Sequence, residues 1–152
     1  MPERTSTLQN RKAFHDYFIL ESLEAGIALV GCEVKSIRLG KANLQDSFAR
    51  VEKGGIFLYG MHISPYEQGN RYNPDPIRIR KLLLHQNEII RFANRVQEKG
   101  LSMVPVKLYF KNGKVKIQLA LAKGKTHGDK REKLKEKEAN REIDRALRQR
   151  NR

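Results

Sequence analysis

Residues 104–122 read Val104-Pro105-Val106-Lys107-Leu108-Tyr109-Phe110-Lys111-Asn112-Gly113-Lys114-Val115-Lys116-Ile117-Gln118-Leu119-Ala120-Leu121-Ala122. Val104, Val106, Leu108 and Phe110 alternate with other residues, as do Val115, Ile117, Leu119 and Leu121. A period of two marks strands that present one apolar face. Lys111-Asn112-Gly113 separates the two runs and supplies residues that tolerate positive φ. The stretch therefore predicts a hairpin with one face in a core.

The same pattern recurs upstream. Lys53-Gly54-Gly55 separates β-rich runs at 47–52 and 56–63, which predicts a second hairpin, and further runs lie at 16–23 and 27–36. With 104–110 and 114–122 this makes six candidate strands, a mainly β fold suited to a small barrel or sandwich. Between the hairpins Ile89, Phe92, Ala93 and Val96 fall at helical spacing, and Gly100 follows Lys99 as a stop signal. One amphipathic helix starting near Asn87 is expected to pack on the strands. Residues 64–80 contain Pro65, Pro74 and Pro76 and predict a surface loop. Residues 1–13 are polar and predict an extended or frayed start. The 152 residues thus divide into an N-terminal segment 1–13, one folded body 14–122 and a tail 123–152.

Lys and Arg number 31 against 17 Asp and Glu, a formal net charge of +14. Such an excess asks for a polyanion. Nucleic acid comes first, because neutralising closely spaced phosphates releases counterions. An anionic membrane surface comes second. No apolar run approaches the roughly 20 residues that cross a bilayer, and the chain opens without a signal peptide's apolar core. A cytoplasmic protein with no membrane attachment is expected. The single cysteine, Cys32, rules out an internal disulfide, and its place in the apolar run 27–34 predicts a buried structural thiol. The four histidines have no metal-ligand spacing, so no metal and no cofactor is expected.

Composition changes at Lys123. The last 30 positions hold 12 basic and 6 acidic residues and no material for a core. Asp129 to Lys133 and Asp144 to Arg148 support a helix at i,i+4, while Ala139, Ile143, Ala146 and Leu147 make only a thin apolar stripe. The tail is expected to be disordered or partly helical alone and to fold on a surface supplied by a partner. A solvated tail that merely aids solubility is the alternative.

Four ordered blocks carry a family resemblance. Asn10-Arg11-Lys12-Ala13-Phe14-His15-Asp16-Tyr17 opens the chain; Glu24-Ala25-Gly26-Ile27, Gly31, Glu33-Val34-Lys35-Ser36 and Asp46-Ser47 follow. The third block is Asp75-Pro76-Ile77-Arg78-Ile79-Arg80-Lys81-Leu82-Leu83-Leu84-His85. The last is Leu108-Tyr109-Phe110-Lys111-Asn112 with Lys114-Val115-Lys116, Ala122-Lys123-Gly124-Lys125 and Asp129-Lys130-Arg131. Together they resemble the SsrA-binding protein (small protein B) family of bacterial ribosome rescue, along nearly the whole chain.

The resemblance implies an oligonucleotide-binding (OB)-like barrel and, as partner, transfer-messenger RNA bound at its tRNA-like domain. It implies a non-catalytic adaptor of trans-translation whose tail enters the decoding region and empty mRNA channel of a stalled ribosome. By matching positions it assigns RNA contact to Asn10, Lys12, Glu24, Leu83, His85 and Lys114. Arg78, Arg80 and Lys81 join them as a basic cluster beside Leu83. Lys123, Lys125, His127, Asp129, Lys130, Arg131 and Ile143 are the expected ribosome-binding positions of the tail. Lys and Arg would fix position on phosphates, while Asn, Glu and His reach base edges or 2′-hydroxyls and Leu83 packs on an unstacked base. A monomer is expected.

Each assignment has a structural alternative. Glu24 could pair with a neighbouring cation, His85 could cap the helix that follows, and Leu83 could be core. His15 and His62 read as structural. Where the family places an aromatic or histidine before Asp-Lys-Arg, this chain has Gly128, with His127 one position earlier. An ordinary ribosomal or tRNA-chaperone protein is the rival binding function. A nuclease holding Mg²⁺ on Asp46, Asp75, Glu24 or Glu33 is the rival enzyme, though no recognisable motif gathers these carboxylates.

Overall fold

The computed structural model describes residues 7–125 and 127–150. In chain order its elements are β1 (Leu8–Gln9), α1 (Arg11–Asp16), β2 (Tyr17–Ile27), α2 (Gly31–Arg38) and β3 (Ala42–Asn43). They continue with β4 (Phe48–Glu52), β5 (Gly55–Tyr59), β6 (His62–Ile63), a 3₁₀ turn at Glu67–Tyr72 and β7 (Arg80–Leu83). The last are α3 (Gln86–Lys99), β8 (Ser102–Lys111), β9 (Lys114–Gly124) and α4 (His127–Arg150).

Six antiparallel strands run in the order β8-β4-β5-β7-β2-β9, and β9 pairs back with β8 to close a barrel. β4 meets β8 only at Ala49–Met103, and β1 pairs with β8 further along, at Leu8–Leu108. Strands β4, β5, β7, β8 and β9 with α3 between the third and fourth make the OB-like frame that the family resemblance implies, with β2 inserted between β7 and β9. Ile56, Leu58, Leu82, Leu108, Ile117 and Leu119 fill the interior, and α3 lays Ile89 and Phe92 on it. Each such aliphatic side chain stabilises the fold by about 1.5–3 kcal/mol through removal from water. α3 ends at Gly100, which takes φ 61°, a left-handed cap that suits glycine.

Four elements differ from the sequence expectation. The apolar run 27–36 is not a strand: β2 ends at Ile27, and Val30 donates its N–H to the Glu33 carboxylate at 3.1 Å to start α2. The missing sixth strand is β7, which begins at Arg80, the last residue of the stretch expected as loop, and runs to Leu83. Its inward positions are Arg80 and Leu82, and a charged residue facing a barrel interior hides the alternation. In the β8–β9 hairpin a bulge between Pro105 and Lys107 resets the faces. Val104 and Val106 therefore lie outside under Ala13 of α1, with Ala120 and Ala122, while Leu108 is barrel core. Finally, the run 56–63 breaks at Gly60 (φ 79°), after which β6 pairs with β3 instead.

At the chain's ends, Leu8–Gln9 is a strand and a helix begins at Arg11, within the stretch 1–13 expected to be extended; residues 1–6 lie outside the described residues. β9 continues to Gly124, so Lys123 is a strand residue facing Phe18. Cys32 is half-buried rather than fully buried. From His127 to Arg150 the tail is one helix, α4, and each of the described side chains of α4 is exposed. Among the described residues no helix is long and apolar enough to cross a membrane.

Candidate nucleic-acid interface

The outer face of β7, β2, β9 and β8 is built row by row from strand register. Leu83 lies opposite Gly26, Gly26 opposite Lys116, and Lys116 opposite Tyr109. One row away Glu24 faces Gln118, and Gln118 faces Lys107. At the turn Lys111 faces Lys114. Leu83 is 53% exposed, although a leucine in a strand is core by default. Its side chain leans over Gly26, where an added Cβ would come within 3.1 Å of the Leu83 Cβ. The glycine thus leaves an apolar shelf rimmed by Lys81, Lys114 and Lys116.

Glu24 is held from one side. The Tyr109 hydroxyl donates to it at 2.5 Å and Lys111 Nζ at 3.4 Å. The tyrosine hydrogen bond is the main cause that keeps the Glu24 carboxyl below the usual carboxylate range; burial opposes it, and Lys111 and Lys116 add to the lowering. Burial and the same carboxylate push the Tyr109 phenol up to about 12, so it stays a donor through the physiological range. A pre-set carboxylate on a basic face is suited to accept hydrogen bonds from base edges or 2′-hydroxyls while repelling misplaced phosphate. Tyr109, Lys111 and Lys116 had no contact role in the sequence reading. Their outward positions on the hairpin, between inward Leu108, Val115 and Ile117, are the signal that finds them.

His85 stands at the N-cap of α3. Its carbonyl accepts from the Glu88 N–H at 3.0 Å and its N–H donates to the Glu88 carboxylate at 3.1 Å. The backbone does the capping, and the ring remains exposed two residues beyond Leu83.

Direct RNA contact is corrected for Asn10 and Arg80, which both point inward. Asn10 is 4% exposed; its amide donates to the Leu44 and Pro105 carbonyls and its side-chain oxygen accepts from Ala13, capping α1. Arg80 is 0% exposed. Its guanidinium donates to Glu33 at 2.7 Å, the Met61 carbonyl at 2.8 Å and the Pro76 carbonyl at 3.1 Å. Arg78 reaches the same carboxylate from a half-buried position and also bonds the Ala28 carbonyl. Burial alone would raise the Glu33 pKa, but hydrogen bonds from Arg78, Val30 and Arg80 outweigh it and hold the group ionised. Lys81 is exposed beside this pair.

Lys12 belongs to another part of the surface. It pairs with Asp46 at 2.5 Å on α1, which packs near Val104 and Ala120, at the end of the hairpin away from Lys114. A cavity of about 890 Å³ opens there, lined by Asn10, Lys12, Asp46, Val96 and Met103 among others, and does not include the Leu83 shelf. Among the described residues no three His, Cys, Asp or Glu side chains are gathered so as to hold a metal ion.

Of the tail positions, Lys125 is tied to the barrel: its N–H donates to the Asp16 carbonyl at 2.8 Å and its ammonium to the Phe14 carbonyl at 3.2 Å, over the Phe18 ring. Arg131 and Ile143 are exposed on α4. The side chains of His127, Asp129 and Lys130 lie outside the described residues.

Comparison with known proteins agrees with this geometry. The family model described as SmpB protein matches residues 7–149. An SsrA-binding protein from Carboxydothermus hydrogenoformans is 63% identical over 142 residues, covering 93% of this chain and 95% of that protein. The SsrA-binding protein of Bacillus subtilis is 61% identical over 140 residues, covering 92% and 90%. A chain from a structure described as "tmRNA-SmpB: a journey to the center of the bacterial ribosome" superposes with a TM-score of 0.68 at 51% identity, covering 83% of this chain and 92% of that one. An OB-like barrel, a basic face around an exposed leucine and a match along almost the full length converge on one conclusion: the chain belongs to the SmpB family of SsrA-binding proteins.

Proposed function

We propose that this protein is a non-catalytic, cytoplasmic adaptor of ribosome rescue that binds the tRNA-like domain of transfer-messenger RNA and brings it to stalled ribosomes. The observation that carries the reading is the Leu83 shelf, an exposed leucine over a glycine, rimmed by lysines and set beside the tyrosine-held carboxylate of Glu24. A face meant only for phosphate would need neither the apolar shelf nor the carboxylate. The relatives' name, and the ribosome complex of the structural neighbour, support the same partners for this chain. The contacts we assign are Lys81, Leu83, His85, Glu24 and Lys114, with Arg78 at the edge and Lys12 as a separate phosphate contact.

The tail has the second task. A basic helix with exposed side chains suits a phosphate-lined channel, and we assign α4 to the decoding region and empty mRNA channel, with Lys123 and Lys125 at its root. Peptidyl transfer remains the ribosome's chemistry. Replacing Glu24 by Ala tests the RNA face. The variant gains positive charge, yet its affinity for the tRNA-like domain is expected to fall about tenfold, the effect of one lost charge-assisted hydrogen bond. A rise in affinity would mean that Glu24 only repels phosphate.

A further inference from the structure

We infer that Phe48, Tyr59 and Arg50, on the outer face of β4 and β5, form a stacking platform for an unpaired nucleotide of the same RNA that the Leu83 shelf holds. The inference rests on the proposed RNA-binding role and extends its footprint to strands that no contact assigned so far occupies.

Phe48 and Tyr59 are cross-strand partners whose rings stack with centroids 5.5 Å apart and planes 6° from parallel. Phe48 is 37% exposed. The Tyr59 hydroxyl donates to Glu52 at 2.5 Å, which fixes that ring. The Arg50 guanidinium sits 5.1 Å from the Phe48 centroid and 5.6 Å from that of Tyr59. It is exposed and makes no ion pair with a carboxylate among the described residues. A cross-strand aromatic pair stabilises a hairpin, but the hairpin does not need a cation with a free edge laid over that pair.

Register joins this platform to the shelf. Arg50 lies opposite Phe57, and Phe57 opposite Lys81, which shares the outer face of β7 with Leu83. The row alternates cation, ring and cation, the arrangement that stacks bases and holds the phosphates between them. β5 and β7 are also the second and third strands of the OB-like frame, and that is the face on which such barrels hold oligonucleotides. Two cations in a row and a chain of net charge +14 favour a polyanion as the occupant, and continuity with the shelf names it as the same RNA.

The experiment is an affinity measurement of the full chain for a transcript of the tRNA-like domain, by fluorescence anisotropy, on the parent, Arg50→Lys and Phe48→Ala. Arg50→Lys keeps the charge and removes the planar group. We expect each variant to bind about 5- to 100-fold more weakly, the range of one lost base stack. The salt slope and thermal midpoint of Arg50→Lys should match the parent, so the outcome does not depend on how well Phe48→Ala folds. If Arg50→Lys binds as tightly as a parent that prefers this RNA, the platform is wrong and the RNA-binding reading stands; the aromatic cluster then serves the hairpin or a protein. If the parent itself shows no preference for the tRNA-like domain over elongator tRNA, both fall.

Discussion

At the scale of single residues, the Tyr109–Glu24 bond is the most specific electrostatic arrangement on the face proposed to bind RNA. The absorbance titration of the parent minus that of Tyr109→Phe should show one tyrosine ionising near 12, well above the ordinary value of about 10. A difference step at about 10 would mean that the hydroxyl does not donate to Glu24. Glu33 makes the corresponding prediction for stability. Its folded-state pKa is depressed, so its contribution is present above the unfolded value of about 4.3 and is lost as pH falls through the folded value. Glu33→Ala should destabilise the fold by about 3–5 kcal/mol in denaturant melts at pH 7, because it strands the buried Arg80 charge, and should flatten the acid limb of the stability curve. An acid limb unchanged from the parent's would contradict this. Residue identity in the sequence was enough to mark Glu24, Leu83 and Lys114 as surface chemistry through the family resemblance. It could not show that Asn10 and Arg80 point inward, because a polar side chain's direction depends on the carbonyls and carboxylates that the fold brings to it.

At the scale of elements, strand β9 and helix α3 are legible because their periods are regular over ten or more residues, whereas the bulge in β8 shifts its period and hides which of its apolar residues face the barrel. α2 and β7 are not, and for one reason. Glu33 on α2 and Arg80 on β7 satisfy each other inside the molecule, so each breaks the apolar pattern of its own element. The tail is a separate matter, since beyond Lys125 each of its described side chains is exposed. Truncation after Gly124 removes the Lys125 contacts but no core residue, and should therefore leave a folded barrel, slightly less stable than the parent, that still binds the tRNA-like domain with a shallower salt slope. Tagging of peptides on stalled ribosomes should fail with it. Ile143→Pro keeps the tail's charge and costs about 3 kcal/mol in a helix interior. If α4 works as a helix, this variant should fail in tagging as the truncated chain does. Normal tagging by Ile143→Pro would mean that charge alone suffices, and normal tagging by the truncated chain would remove the tail from the mechanism.

At the scale of the whole molecule, a net charge of +14 on a 152-residue chain makes binding to any RNA easy and selectivity the real question. Phosphate contacts should give a slope of roughly −0.7 to −0.9 in log K against log salt for each one, and elongator tRNA should share that slope. On the proposed reading, preference comes from the shelf and from Glu24, which do not depend on counterion release. The most direct measurement is competition: labelled tRNA-like domain bound to the full chain, displaced by unlabelled tRNA-like domain or by unlabelled elongator tRNAs at near-physiological salt. Elongator tRNAs are expected to displace the label only at far higher concentration, and Leu83→Ala to narrow the gap. Equal displacement by both RNAs would contradict the proposed reading.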